Sequence, residues 1–184
     1  LLDMMIVYND LSEVQVFPLL AENCTLNTVD NPEKEYPNRS SKVAYYSRTD
    51  NQYANAYIRL PAGFRFDLRL QQVFKVMVHG KAGDVILLKL ENSDPAEPWK
   101  TGTEITYTIQ KDNTWEVAVF DFNGVPGGFS WTGDMYAPNV VTDDRFNHDY
   151  YNTLRLMCNP TVANGTHSFY FDELSGPHVE GIHK

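Results

Sequence analysis

Apolar and polar positions alternate with a period of two through most of the chain, in short runs. The clearest run is 84–91, where Ile86, Leu88 and Leu90 share one face and Lys89 and Glu91 charge the other. Similar runs, rich in β-branched and aromatic residues, predict strands over 4–8, 42–48, 54–60, 66–70, 74–79, 104–109, 114–122, 150–157 and 167–174. Turn-forming residues punctuate the gaps, as at Pro61-Ala62-Gly63, Lys111-Asp112-Asn113 and Ala163-Asn164-Gly165. No stretch carries a sustained apolar stripe of helical period with caps. About ten short strands in 184 residues predict an all-β fold, an antiparallel β-sandwich or jelly roll.

Two stretches break this rhythm. Residues 20–39 are polar and carry Asn31-Pro32 and Tyr36-Pro37, so they read as a long surface connection. Residues 124–149 form a longer insertion holding Trp131, Tyr136, Phe146 and the pair Asp143-Asp144. Disordered segments are poor in aromatics, so this one is expected to be an ordered loop with a function. The chain divides into a single domain over 1–177 and a short tail, 178–184, after Pro177.

Charge narrows the partners. Fifteen basic against 24 acidic residues give a net charge of −9. A nucleic-acid binder needs a basic footprint to displace counterions, and adsorption to an anionic membrane needs one as well. Both are excluded. No apolar run approaches the roughly 20 residues of a membrane-spanning helix. With 42% hydrophobic and 13% aromatic residues, the chain has ample material for a core. Cys24 and Cys158 make no metal constellation; they form either one bridge or two buried thiols. Asn23-Cys24-Thr25, Asn38-Arg39-Ser40 and Asn164-Gly165-Thr166 match the N-glycosylation pattern, which matters only in a eukaryotic secreted context. The chain begins at Leu1 without an initiator Met, as a mature or trimmed form would, and any export signal is expected to have preceded it.

Catalytic motifs are missing. The sequence has no Gly-x-Ser-x-Gly elbow, no P-loop, no dinucleotide fingerprint and no His-Glu-x-x-His. Paired carboxylates serve glycoside hydrolysis only at a specific separation in space. Asp172 and Glu173 are strand neighbours that point to opposite faces, and Asp143-Asp144 reads as a solvated loop pair. The aromatics say more. Sugar rings present flat C–H faces that stack on Trp and Tyr, while their hydroxyls seek amides, carboxylates and guanidinium groups. Trp99 sits in the polar turn Ser93-Asp94-Pro95-Ala96-Glu97-Pro98-Trp99, and Trp131 in the long loop, so neither reads as an ordinary core residue. Each is either a lid over the sandwich edge or a platform for a ligand. Trp115 begins a strand, alternates with Val117 and Val119, and is expected in the core.

Four segments, in order, carry a family resemblance. They are Ile6-Val7-Tyr8-Asn9-Asp10-Leu11; Val29-Asp30-Asn31-Pro32 followed by Asn38-Arg39-Ser40-Ser41-Lys42-Val43; Val85-Ile86-Leu87-Leu88-Lys89-Leu90-Glu91 with Trp115-Glu116-Val117 and Phe120-Asp121-Phe122; and Phe169-Tyr170-Phe171-Asp172-Glu173-Leu174 with Ser175-Gly176-Pro177. The chain thereby resembles the galactose-binding-like β-sandwich carbohydrate-binding modules found with extracellular glycoside hydrolases and lyases, especially those of Bacteroidetes. The resemblance implies a calcium ion tying the first strand to the last, held by an acidic side chain near each end. Asp172 matches the closing position. The opening turn departs from the pattern, with Ser12 where a Glu is common, and Asp10 or Glu13 takes that part.

The expectation is therefore a non-catalytic carbohydrate-binding module that holds a poly- or oligosaccharide, working beside a glycoside hydrolase or lyase. Its place is extracellular, at the cell surface or in the periplasm. Trp131, Tyr136 and Trp99 are the expected platforms, and Asp143, Asp144 and Arg145 the partners of sugar hydroxyls. On the strand faces Lys89, Glu91 and Arg155 are alternatives, although a cross-strand ion-pair cluster explains them as well. The rival readings are a structural or adhesion domain of the same fold and a small jelly-roll lyase or hydrolase.

Overall fold

The computed structural model describes residues 5–122, 129–131 and 149–181, and among these it is all-β. One sheet contains β10 (Glu116–Asp121), β7 (Val73–His79), β13 (Thr166–Pro177), β4 (Lys42–Thr49) and β3 (Thr25–Asp30), in that order. There β1 (Met5–Asn9) also pairs with β13, so the opening strand lies against the closing one. The second sheet runs β11 (Phe129–Trp131), β9 (Thr103–Thr108), β8 (Val85–Glu91), β12 (Thr153–Cys158), β5 (Asn55–Arg59) and β2 (Leu20–Glu22). Every pairing within the two sheets is antiparallel. A small ribbon of β6 (Phe64–Phe66) and β14 (Val179–Gly181) stands apart. No helix among the described residues is long and apolar enough to cross a membrane.

The alternation read from the sequence becomes the core. Ile86, Leu88 and Leu90 of β8, with Leu154 and Leu156 of β12, pack against Phe74, Val76 and Val78 of β7 and Phe169 and Phe171 of β13. Fully burying a side chain of this kind is worth about 1.5–3 kcal/mol. Where β1 meets β13 the chains approach closely. A Cβ at Gly176 would lie 2.5 Å from Phe74 Cδ1 and 2.8 Å from Tyr8 Oη, so only glycine fits.

Four expectations change. Residues 20–39 are not one surface connection, because they hold β2 and β3. These strands leave most side chains exposed and so lack apolar alternation. A strand expected over 66–70 lies instead at Phe64–Phe66. Residues 179–181, read as part of a tail, pair with that strand. Trp115 is buried as expected, its Nε1 donating to Asn31 Oδ1 at 3.0 Å and to the Glu33 backbone oxygen at 2.9 Å, but the valines that alternate with it are not. Val117 and Val119 face solvent, while Ala118 and Phe120 turn inward. Both faces of β10 read as apolar, so alternation alone cannot choose between them.

Candidate functional site

The outer face of the second sheet carries two cross-strand rows. Strand register aligns Glu104, Lys89, Arg155, Tyr57 and Leu20 across β9, β8, β12, β5 and β2. The next row aligns Thr106, Leu87, Met157, Asn55 and Glu22. Residues directly opposite in antiparallel strands share a face, so these rows form a continuous floor. Over it lies a groove of about 690 Å³. Lys89, Glu91, Arg155, Met157, Asn55 and Glu22 line its bottom, and Tyr53 and the Pro98–Lys100 turn its sides.

The floor is charged yet internally matched. Arg155 Nε donates to Glu91 Oε1 at 2.5 Å, and its Nη1 donates to Asn55 Oδ1 at 2.9 Å and approaches Glu22 Oε2 at 3.5 Å. The guanidinium also lies 4.9 Å from the centre of the Tyr57 ring. Lys89 Nζ sits 3.4 Å from Glu91 Oε2, so both oxygens of Glu91 face a cation. Glu91 is only 3% exposed and Lys89 8%. Such a cluster stabilises little in net terms, because desolvation offsets the attraction. It does fix a row of polar atoms in place.

Above this floor stand two exposed rings. Trp99 is 57% exposed on a 3-10 turn over Pro98–Thr101, begun by a proline that suits a first helical position. Thr101 Oγ1 donates to the Pro98 backbone oxygen at 2.6 Å, and Lys89 Nζ donates to the Trp99 backbone oxygen at 3.2 Å. Tyr53 is 67% exposed in the β4–β5 turn, where Asp50 and Asn51 adopt left-handed φ values. Two bonds hold its neighbours: the Ala54 N–H donates to the Asn51 oxygen at 2.9 Å, and Tyr46 Oη, from the core, donates to the Ala54 oxygen at 2.7 Å. Two rings fixed by backbone anchors over a matched polar floor are suited to a ligand with flat apolar faces and many hydroxyls.

The sequence candidates separate. Trp99 joins Lys89, Glu91 and Arg155 at one groove. The three charged residues do form a cross-strand ion-pair cluster, and that cluster is the groove floor. Tyr136, Asp143, Asp144 and Arg145 lie outside the described residues. The backbone of Trp131 ends β11 opposite Thr103, at the edge of the same sheet. Tyr53, Glu22, Asn55 and Met157 were not anticipated. Tyr53 had the signal that marked Trp99, an aromatic within a polar turn; the other three are set by register alone.

Asp10 and Asp172 come together at the seam between the chain's two ends. Asp172 is 1% exposed; its Oδ2 accepts from Asn38 Nδ2 at 2.9 Å and its Oδ1 from the Glu173 N–H at 3.0 Å. Burial pushes its carboxyl up to about 6, the neighbouring Asp10 charge adds to the rise, and hydrogen bonds from Asn38, Ser40 and Glu173 oppose it. Asp10 Oδ1 accepts from the N–H groups of Ser12 at 2.8 Å and Val14 at 2.9 Å. No group of three or more His, Cys, Asp or Glu suited to a metal occurs among the described residues. Two carboxylates are hard oxygen donors, which is the chemistry calcium takes, while Asn38 turns its amide nitrogen rather than its oxygen toward Asp172. Cys24 and Cys158 are free thiols, and burial pushes them up to about 11 and about 12.

The sequence matches no protein-family model and no curated protein at significance. Solved structures do share its fold. A family 11 carbohydrate-binding module of a cellulosomal cellulase of Clostridium thermocellum superposes with a TM-score of 0.57 at 16% identity, over 97% of this chain and 98% of that one. A family 11 module from Clostridium thermocellum in complex with a β-1,3-1,4-mixed-linked tetrasaccharide gives 0.56 at 16% identity, over 95% and 94%. A mutant of a family 29 carbohydrate-binding module gives 0.52 at 13% identity, over 94% and 90%. At these identities the likeness concerns architecture: the chain has the β-sandwich fold of carbohydrate-binding modules.

Proposed function

We propose that the protein is a non-catalytic carbohydrate-binding module that holds a poly- or oligosaccharide in the groove of the second sheet. One observation carries the reading: Trp99 and Tyr53 stand exposed at a groove whose polar floor is already hydrogen-bonded and charge-matched. The rings offer stacking surfaces, and Asn55, Glu22 and Lys100 offer partners for hydroxyls. The groove carboxylates Glu91 and Glu22 both approach the Arg155 guanidinium, which supports a binding rather than an acid–base role. The shared fold makes a mixed-linkage β-glucan the first glycan to try. Calorimetric titration of the full chain with a mixed-linkage tetrasaccharide and a wider glycan panel tests the reading. Saturable binding to at least one glycan is expected; no binding to any member overturns it.

The same reading places the protein outside the cytoplasm, at the cell surface or in the periplasm, beside a glycoside hydrolase or lyase that its binding keeps near the polymer. Calcium at Asp10 and Asp172 is a further part of the proposal. The raised carboxyl of Asp172 beside a second carboxylate supports it, since a cation would relieve both the burial and the repulsion.

A further inference from the structure

Past Tyr53 the groove leads into a second hollow, of about 350 Å³. Glu22 and Tyr53 belong to both spaces. Three connections supply the remaining wall: Asn23 between β2 and β3, Asn51 and Gln52 between β4 and β5, and Ala163 between β12 and β13. Gln52 Nε2 donates to the Pro160 oxygen at 3.1 Å. The side-chain amides of Asn23 and Asn51 make no hydrogen bond among the described residues. Each amide offers a donor and an acceptor side by side, as a sugar hydroxyl requires.

The wall is built to stay in place. Arg48 is fully buried and ties two of the three connections together through backbone oxygens. Its Nη1 donates to Asp50 at 2.6 Å; its Nη2 donates to Cys158 at 3.1 Å, Asn159 at 2.9 Å and Val162 at 2.9 Å. Asp50 then closes the loop from the other side, its N–H donating to the Gly165 oxygen at 2.8 Å and its Oδ1 accepting from the Gly165 N–H at 2.9 Å. A hollow fixed in this way loses little freedom when a ligand enters.

We propose that this hollow is a separate sugar subsite, which takes the unit of the same glycan lying beyond Tyr53. Asn23 and Asn51 bind its hydroxyls, and Arg48 is a positioning residue. The inference rests on the groove reading, and it adds that recognition extends past the sheet face and selects for chain length.

The double variant Asn23→Gly/Asn51→Gly tests it. Both residues have left-handed φ, 58° and 48°, which glycine adopts freely, so the turns keep their shape while losing the amides. Wild type and variant are titrated with mixed-linkage β-glucan oligosaccharides from disaccharide to hexasaccharide. Wild-type affinity is expected to rise with length and then level off. The variant is expected to match wild type on the disaccharide and to fall about 5- to 50-fold behind on the hexasaccharide, the worth of two hydrogen bonds. An equal loss at every length, or none at any, overturns the subsite while leaving the groove reading intact. If wild type binds no length of this glucan, the series is run with oligosaccharides of whichever panel glycan it does bind; if it binds none of the panel, the groove reading falls and this inference with it.

Discussion

Lys89 Nζ donates to the backbone oxygen of Trp99 at 3.2 Å, so a buried charge on the sheet fixes the turn that carries the most exposed indole described in the protein. Floor and platform are thereby one unit.

Trp99→Ala removes a stacking surface without opening the core. Stacking against a sugar face is worth roughly 1–3 kcal/mol, so glycan affinity is expected to fall about 5- to 100-fold. The melting temperature should stay nearly constant. A large drop in melting temperature instead would make Trp99 a structural lid.

Arg155→Met acts on stability. It leaves Glu91, 3% exposed, with Lys89 as its remaining cationic neighbour. The expected cost at neutral pH is about 2–4 kcal/mol by urea denaturation. The double variant Glu91→Gln/Arg155→Met removes the stranded charge as well and should recover much of the loss. A double variant no more stable than Arg155→Met alone would rule out this electrostatic cause.

Arg48→Met strips a buried guanidinium from the oxygens of Asp50, Cys158, Asn159 and Val162. Backbone acceptors left without donors in the interior cost about 1–3 kcal/mol each, and a loss of about 3 kcal/mol or more is expected. Arg48→Lys should recover only part of it, because an ammonium lacks the planar fork that reaches separate oxygens. Full recovery by lysine would mean that charge alone matters.

Asp172 gives a pH signature. Its folded value, raised to about 6 from 3.8, means that the folded state holds the proton more tightly than the unfolded chain. The stability it contributes is present below about pH 4 and lost as pH rises through about 6, by at most about 3 kcal/mol. In chelator, the melting temperature of wild type relative to Asp172→Asn should fall across that interval. Added calcium should restore wild type at neutral pH and leave the variant unmoved, since an ion that binds only the folded state stabilises it by mass action. Identical melting curves with calcium and with chelator would reject the ion; a difference that is flat in chelator would reject the raised carboxyl.

The fold class was legible in the sequence because a strand with one buried face writes a period of two into its own residues. Ile86, Leu88 and Leu90 announced their face without reference to any partner. Trp99 was legible for a related local reason, a large ring in a turn of prolines and acids. Where local pattern gave no contrast, tertiary structure decided. β2 and β3 are largely exposed edge strands with no apolar alternation, and β10 is apolar on both faces, so only packing chose Ala118 and Phe120 over Val117 and Val119. The groove itself was beyond local reading. Glu22, Tyr53, Lys89, Trp99 and Arg155 come from five separate segments and meet only because β8, β12, β5 and β2 pair in one register. Register is a property of strands jointly burying their apolar faces, and a one-residue slip would turn each outer side chain inward. Sequence thus determined which residues alternate and which rings lie in turns; the pairing of distant strands determined that they share a site.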